Sequence, residues 1–411
     1  MAVRGQIVWS DAVGWADLEN EVAATPESLF RIGSVSKLFT AAVLARFYEA
    51  DRIDLLAPIR RYVPSFPDKG AEITLLQLAG HLGGIRHYKD DEFQNRRRYE
   101  SVIEALTIFQ QDDLLHAPGE RYKYSSWGYV LLSAAIEQAA GENFVAIVRN
   151  EVLEPLGLES TQVDDSRETI LHRSKNYDFD GDRIVSSTRI DLSDRWASGG
   201  YLSTAEDLVR FGSAHLNETW LQPQTKSSLF TSQRTNAGEE TGVGVAWRID
   251  TDAWGRTFYH HSGSTAGGRA ILAIFPESGV AVAIAGNLGR APFGKPEAQL
   301  LVGLFIPHQP ETGELLWRPN GEWNVTRTTD RGPIAGVMML TTEDDRITGT
   351  LKLGDGPEMR IAWASLQGNR LSVAAVDPRG QLEVLWLRGS GDMIEGSSWR
   401  TTGDIRATRS R

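Results

Sequence analysis

Phe30-Arg31-Ile32-Gly33-Ser34-Val35-Ser36-Lys37, running straight into Leu38-Phe39-Thr40-Ala41-Ala42-Val43-Leu44-Ala45-Arg46-Phe47-Tyr48, is the stretch that decides how this chain of 411 residues is read. From Lys37 to Ala50 the apolar residues Leu38, Ala41, Ala42, Leu44, Ala45 and Tyr48 recur at i, i+3, i+4 spacing, which predicts a helix burying one broad stripe. Ser34 falls at its first turn. Residues three apart share a helix face, so Lys37 can reach the Ser34 hydroxyl. A serine hydroxyl is a poor nucleophile until a base takes its proton. A lysine whose pKa is lowered by burial and nearby cations can serve, and a helix N-terminus adds free N–H groups and a positive dipole end. Alone, the Ser-x-x-Lys spacing equally describes a helix cap and a surface lysine; about one such match is expected by chance in a chain this long.

Two further segments change that balance. Tyr124-Ser125-Ser126 precedes a helical pattern over 127–140, with Ser125 and Ser126 as candidate N-caps and Gly141 as the C′ residue. A tyrosine beside a lysine ammonium ionises more easily and can shuttle a proton; otherwise it is a core tyrosine. His261-Ser262-Gly263-Ser264 leads into the apolar run 270–275, where a strand edge can offer a backbone N–H to an oxyanion and His261 can tune proton transfer. The plainer reading is a turn between strands.

Elsewhere, 6–18 reads as a hairpin of Ile7-Val8-Trp9 and Val13-Gly14-Trp15. Residues 52–200 read as mainly helical, including 101–110, and 205–217 as a helix opened by Ser203-Thr204. Strands are expected at 242–247, 257–260, 270–275 and 280–285, the last two apolar enough to be covered on both faces, followed by a helix at 297–305. Pro307, Pro310 and Gly313 mark a boundary, so the expected domains are 1–305 and 306–411. The second holds seven expected strands (321–328, 334–341, 346–353, 359–366, 370–376, 381–387, 392–399), a spacing that suits a small antiparallel barrel.

In order and context, these segments resemble the Ser-x-x-Lys, Tyr-x-Asn and Lys-Thr-Gly set of the serine β-lactamase-like superfamily, on the side of class C enzymes, D-aminopeptidases and related esterases. His81-Leu82-Gly83-Gly84-Ile85-Arg86-His87-Tyr88, Pro118-Gly119, Pro155-Leu156-Gly157-Leu158 and the run from Ser198 to Leu208 fit the same pattern. The strings 85–88 and 191–208 look most like the mitochondrial β-lactamase-like serine protease branch and its bacterial relatives, and the likeness covers about residues 5–305. It implies an α+β fold: a β-lactamase/transpeptidase-like domain with an antiparallel sheet and a helical insertion, then a lipocalin-like β-barrel. It implies an acyl-enzyme serine hydrolase with Ser34 as nucleophile and Lys37, Tyr124 and His261 in proton transfer. It further implies that the Ser34 and Ser264 amides form the oxyanion hole and that Ser126, Ser262 and Gly263 contact substrate. The barrel is expected to shape the active-site rim, mediate association or add stability.

Three departures stand out. Ser126 replaces the usual Asn and is too short to reach a substrate amide in the same way. His261 replaces Lys, as in His-x-Gly esterases and peptidases, and is a weaker fixed charge for a carboxylate. The chain also starts near Gly5-Gln6-Ile7-Val8-Trp9, so the N-terminal helix and first strand of relatives are expected to be missing. An export signal would go with them: no signal peptide is visible in Met1-Ala2-Val3-Arg4-Gly5, and a periplasmic or secreted origin stays open.

Composition narrows the class. Hydrophobic residues at 41% and charged residues at 24% describe a globular protein, and no run of about 18 apolar residues offers a membrane span. Net charge is −11, and residues 306–411 carry 13 Lys and Arg against 14 Asp and Glu, so the acidic surplus lies in the first domain. The one basic cluster, Arg96-Arg97-Arg98, follows Asp90-Asp91-Glu92 and reads as solvated surface, so no nucleic-acid partner is expected. Cysteine is absent, which excludes thiol nucleophiles and thiolate metal sites; the histidines lack ligand spacing, so no metal and no cofactor is expected. The expected partner is a small-molecule or short-peptide substrate, cleaved at an amide bond. Carboxylesterase or acyltransferase chemistry at the same site is the alternative, and a catalytically silent peptide-binding protein is the alternative from another class.

Overall fold

The computed structural model describes residues 1–181, 183–217, 219–252, 255–305, 317–343, 346–398 and 404–410, which form two compact units, Met1–Val302 and Gly303–Arg411. The boundary residues Pro307, Pro310 and Gly313 lie outside the described residues, as does Trp399 at the end of an expected strand.

In the first unit, three helices matter most: α1 (Ser36–Glu49), α2 (Trp127–Ala140) and α3 (Ala205–Leu216). Its sheet has six antiparallel strands, β1 (Ala2–Val3), β2 (Gln6–Ile7), β3 (Arg248–Thr251), β4 (Thr257–Thr265), β5 (Gly268–Phe275) and β6 (Val280–Gly286), in the order β3-β4-β5-β6-β1-β2. α3 packs on β5 and β6. It starts where the Thr204 hydroxyl accepts the Asp207 amide (3.1 Å), as its Ser-Thr opening predicted. Almost every residue of β5 is buried, in keeping with its unbroken apolar run.

α1 differs from its expected single stripe. Ser36 through Ala45 and Phe47 are all buried, because short helices and α2 pack around it. That is why Lys37, the lone cation in the first two turns, has no route to solvent. α2 closes as expected on Gly141 in the left-handed conformation (φ 71°).

Several expectations fail locally. The 6–18 hairpin does not form: Gln6–Ile7 folds back on Ala2–Val3, and Trp15–Asp17 pairs with Val22–Ala23. Arg4-Gly5, both at positive φ, supply a tight turn one strand earlier than the apolar runs suggest. The run 242–247 is no strand but a buried loop ahead of β3, and 101–110 shortens to a helix over Val102–Leu106. Arg98 is not simply solvated: it forms a two-pronged ion pair with Asp165 at 3.0 and 2.9 Å.

The second unit is a closed antiparallel barrel of eight strands, β7–β14, from Gly321–Thr329 (β7) to Asp404–Arg409 (β14). The closing strand β14 was missed, since Ile405 and Ala407 alone point inward between charged neighbours; it pairs with both β7 and Met393–Ser398. Trp323, Met338, Leu351, Leu371, Leu385 and Ile394 fill the interior as alternate residues along their strands. Among the described residues no single helix is long and apolar enough to cross a membrane.

Candidate active site

Ser34 stands in the 3-10 turn Gly33–Val35 that leads directly into α1. One turn on, Lys37 Nζ donates to Ser34 Oγ (3.2 Å), Ser126 Oγ (3.0 Å) and the Ser198 carbonyl (2.7 Å). Among the described residues it has no carboxylate partner. Burial, then the Arg248 and Arg195 guanidiniums, hold the ammonium well below its ordinary range. Deprotonated, the amine keeps two N–H donors for Ser126 and Ser198 and turns its lone pair to the Ser34 hydroxyl. The Ser198 carbonyl is fixed because the same segment is tied to α1: Thr40 Oγ1 donates to the Ala197 carbonyl (2.6 Å) and the Tyr201 amide to Ser36 Oγ (3.2 Å).

Tyr124-Ser125-Ser126 is clasped by the loop 81–88. The Ser125 amide donates to His81 Nδ1 (3.2 Å), the Ser126 amide to His87 Nδ1 (3.2 Å), and the Ser125 hydroxyl to the Arg86 carbonyl (2.7 Å). This clasp holds Tyr124 beside Ser34 at the cleft and sets its ring 5.0 Å from Lys37 Nζ. Two expectations change here. Burial outweighs the influence of the neighbouring Ser34 hydroxyl and pushes the Tyr124 phenol up, so it does not ionise more easily. Ser126 makes no cap bond; it is 2% exposed and its hydroxyl is engaged by Lys37, while Ser125 Oγ accepts the Gly128 amide (3.0 Å).

His261, Ser262, Gly263 and Ser264 belong to β4 itself, not to a turn. β3 pairs with β4 only as far as His260, so the strand runs on with a free edge facing the Ser34 turn. The approach requires glycine twice. A Cβ on Gly263 would stand 1.8 Å from the Ile32 carbonyl oxygen, and one on Gly33 (φ +50°) 2.7 Å from the Ser264 amide nitrogen. The Ser34 and Ser264 amides are thereby neighbours. His261 is buried, and burial together with the Arg248 guanidinium keeps it neutral. Its Nδ1 donates to the Ser262 carbonyl (2.7 Å), and Nε2 has no partner among the described residues. His260 bonds Asp250 (2.8 Å) instead.

Ser34, Tyr124, His261, Ser262, Gly263 and Ser264 line one cleft of about 720 Å³; Lys37 and Ser126 sit behind its wall. Residues not singled out by function in the sequence complete it. Arg248 lines the cleft, donates to the Tyr122 hydroxyl (3.2 Å) and lies 5.6 Å from the Tyr124 ring centre; among the described residues it has no carboxylate partner. His87, from the loop 81–88, lines the same cleft. Nothing in a lone Arg after Trp247 signals this role; His87 was legible only as part of the string 85–88. No group of three or more His, Asp or Glu among the described residues is placed to hold a metal.

Comparison with known proteins gives the family of the chain. The human serine beta-lactamase-like protein LACTB, mitochondrial, is 28% identical over 372 residues, covering 67% of this chain and 68% of the relative. Penicillin-binding protein 4* of Bacillus subtilis is 26% identical, covering 65% and 62%. Among solved structures, the D-amino acid amidase of Ochrobactrum anthropi superposes with a TM-score of 0.60 at 25% identity, over 67% of this chain and 81% of that one. The octameric penicillin-binding protein homologue of Pyrococcus abyssi covers 98% of this chain and 93% of its own with a TM-score of 0.64 at 20% identity, a likeness of fold. The Beta-lactamase family profile matches residues 1–303, and the chain belongs to that family, whose members are serine hydrolases.

Proposed function

We propose that this protein is a serine hydrolase that cleaves amide or peptide bonds of small substrates through an acyl-enzyme on Ser34. The observation that carries the reading is a buried amine with no carboxylate partner among the described residues, 3.2 Å from a serine hydroxyl at the edge of an open cleft. Lys37 takes the Ser34 proton as Oγ attacks the substrate carbonyl. The C–N bond then breaks, and Tyr124, protonated because of its burial, hands a proton to the departing amine and is resupplied by Lys37. The Ser34 and Ser264 amides hold the oxyanion, each worth about 3–4 kcal/mol in comparable acyl-transfer sites. Water then attacks the ester, with Lys37 or His261 Nε2, which has no partner among the described residues, receiving its proton, and that proton returns to Ser34 Oγ as the acid departs. Arg248, not His261, supplies the fixed positive charge, which favours substrates bearing a carboxylate.

The same acyl-enzyme serves ester hydrolysis, with a better leaving group, or transfer to an amine, so matched ester and amide substrates separate these outcomes. The name of the amidase relative supports trying amides first. The test is labelling by a fluorophosphonate with mass mapping to Ser34, followed by intact-mass trapping with p-nitrophenyl esters, D- and L-amino-acid anilides and a chromogenic cephalosporin. A folded chain left unlabelled at Ser34 ends the proposal and favours a silent peptide-binding role, in which Ser34→Ala leaves peptide affinity unchanged.

A further inference from the structure

Tyr124 stands where no regular element holds it: residues 122–125 carry neither helix nor strand, and the next helix begins at Trp127. A residue of another loop supplies the hold. The short helix Leu75–Ala79 ends on His81 in the left-handed region (φ +61°), with the His81 amide on the Leu78 carbonyl (3.1 Å) and the Leu82 amide on the Gln77 carbonyl (2.7 Å). Glycine is the usual residue in such a helix ending and asparagine the next, because a larger side chain strains the backbone there. A buried histidine in that place points to a use for its side chain.

Three contacts give the use. The His81 carbonyl accepts the Lys123 amide (2.9 Å), Nδ1 accepts the Ser125 amide (3.2 Å), and the imidazole lies against the Tyr124 ring with centres 4.4 Å apart. The chain is thus held on both sides of Tyr124, and the ring between them is backed. Accepting at Nδ1 requires a neutral imidazole with its proton on Nε2; burial, with the Arg248 guanidinium nearby, keeps the ring neutral. We propose that His81 is a positioning residue that fixes Tyr124 for protonating the leaving group. This rests on the hydrolase reading above, in which the electron pair of the breaking C–N bond goes to a nitrogen that takes the phenol proton.

The test uses the full chain and one acyl group on two leaving groups, as an anilide and as a p-nitrophenyl ester. Nitrophenolate departs without a proton, whereas the anilide nitrogen needs one. His81→Gly removes the side chain and suits the left-handed backbone, so it separates the grip on Tyr124 from folding, which circular dichroism checks. It should lose about ten- to hundred-fold in kcat/KM on the anilide, and less than about three-fold on the ester and in fluorophosphonate labelling of Ser34. His81→Asn tolerates the same backbone and puts Oδ1 where Nδ1 stood, so it should recover most of the anilide rate. Tyr124→Phe together with His81→Gly should be no slower on the anilide than Tyr124→Phe alone. Equal losses on ester and anilide, or losses that multiply in the double variant, overturn the proposal and leave the hydrolase standing as long as Ser34 is labelled. A parent unlabelled at Ser34 ends the hydrolase reading and this proposal with it. Nitrogen-15 NMR of the parent with ring-labelled histidine reads the contact whatever the variants do. The signals lost in His81→Asn should belong to a ring protonated at Nε2 alone, and a proton on its Nδ1 overturns the proposal.

Discussion

Replacing Lys37 by Met removes the amine while keeping a side chain of similar length, and it should separate activity from stability in opposite directions. Loss of a general base costs about 10²- to 10⁴-fold in comparable sites, so Ser34 labelling should slow by that amount. Stability moves the other way. The folded pKa of Lys37 lies below the 10.5 of an exposed lysine. At low pH the folded chain must therefore hold a desolvated ammonium, and the cost is present in full. Between the two pKa values the unfolded chain binds a proton that the folded chain lacks, so parental stability rises with pH by up to about 1.4 kcal/mol per pH unit and levels off above 10.5. Lys37→Met lacks this term. It should be the more stable protein at low pH by an amount that shrinks as pH rises, offset by about 0.5–1.5 kcal/mol for each lost hydrogen bond to Ser126 and Ser198. Urea unfolding of the full chain followed by tryptophan fluorescence at several pH values, beside labelling rates on the same samples, measures both. Parallel stability curves, or labelling within ten-fold of the parent, would refute a neutral Lys37 acting as base.

Other substitutions probe the neighbours of that amine. Arg248→Gln removes a cation that depresses Lys37 and faces the cleft, so the acidic limb of the labelling rate should move to higher pH and KM for carboxylate-bearing substrates should rise; an unmoved limb and KM would deny both roles. Ser126→Ala deletes an acceptor of Lys37 without touching the cleft, so kcat should fall by roughly ten-fold on every substrate with KM unchanged, the value of about one hydrogen bond to the base. Gly263→Ala places a methyl 1.8 Å from a backbone carbonyl, which forces β4 away from Ser34; labelling should be lost even where circular dichroism shows a folded chain, and normal labelling would mean the close approach is dispensable. His261→Gln leaves no titrating group near neutrality to remove, since the ring is already neutral, so the pH of the acidic limb should stay in place; a shift in the titration of labelling would show that His261 carries charge.

Much of the fold was readable because its signals are local. Gly141 and Thr204 mark helix ends through backbone chemistry that needs no distant partner, and β5 and β6 announce double burial by apolar content alone. The failures share a cause. Ile7-Val8-Trp9 and Gly242–Trp247 have strand-like composition, yet which strand they meet is set by partners far away in the chain. β14 holds only two inward apolar residues and is a strand because β7, some eighty residues earlier, closes on it.

The amino-acid order by itself determined that a serine and a lysine share one helix turn, and that a Tyr-Ser-Ser segment ahead of a helix and a His-x-Gly segment ahead of an apolar strand follow them in order. Spacing along a regular element is a property of the backbone, so these relations survive without a fold. Only the tertiary structure decided what the groups are. Packing α1 on every side turned Lys37 from an exposed cation into a candidate base, and the same burial kept Tyr124 protonated and His261 neutral. It also sealed Ser126 behind the wall and brought Arg248 and His87 to the cleft. Protonation state and access depend on the dielectric and charges gathered around a group from distant parts of the chain, and no stretch of sequence carries that information alone.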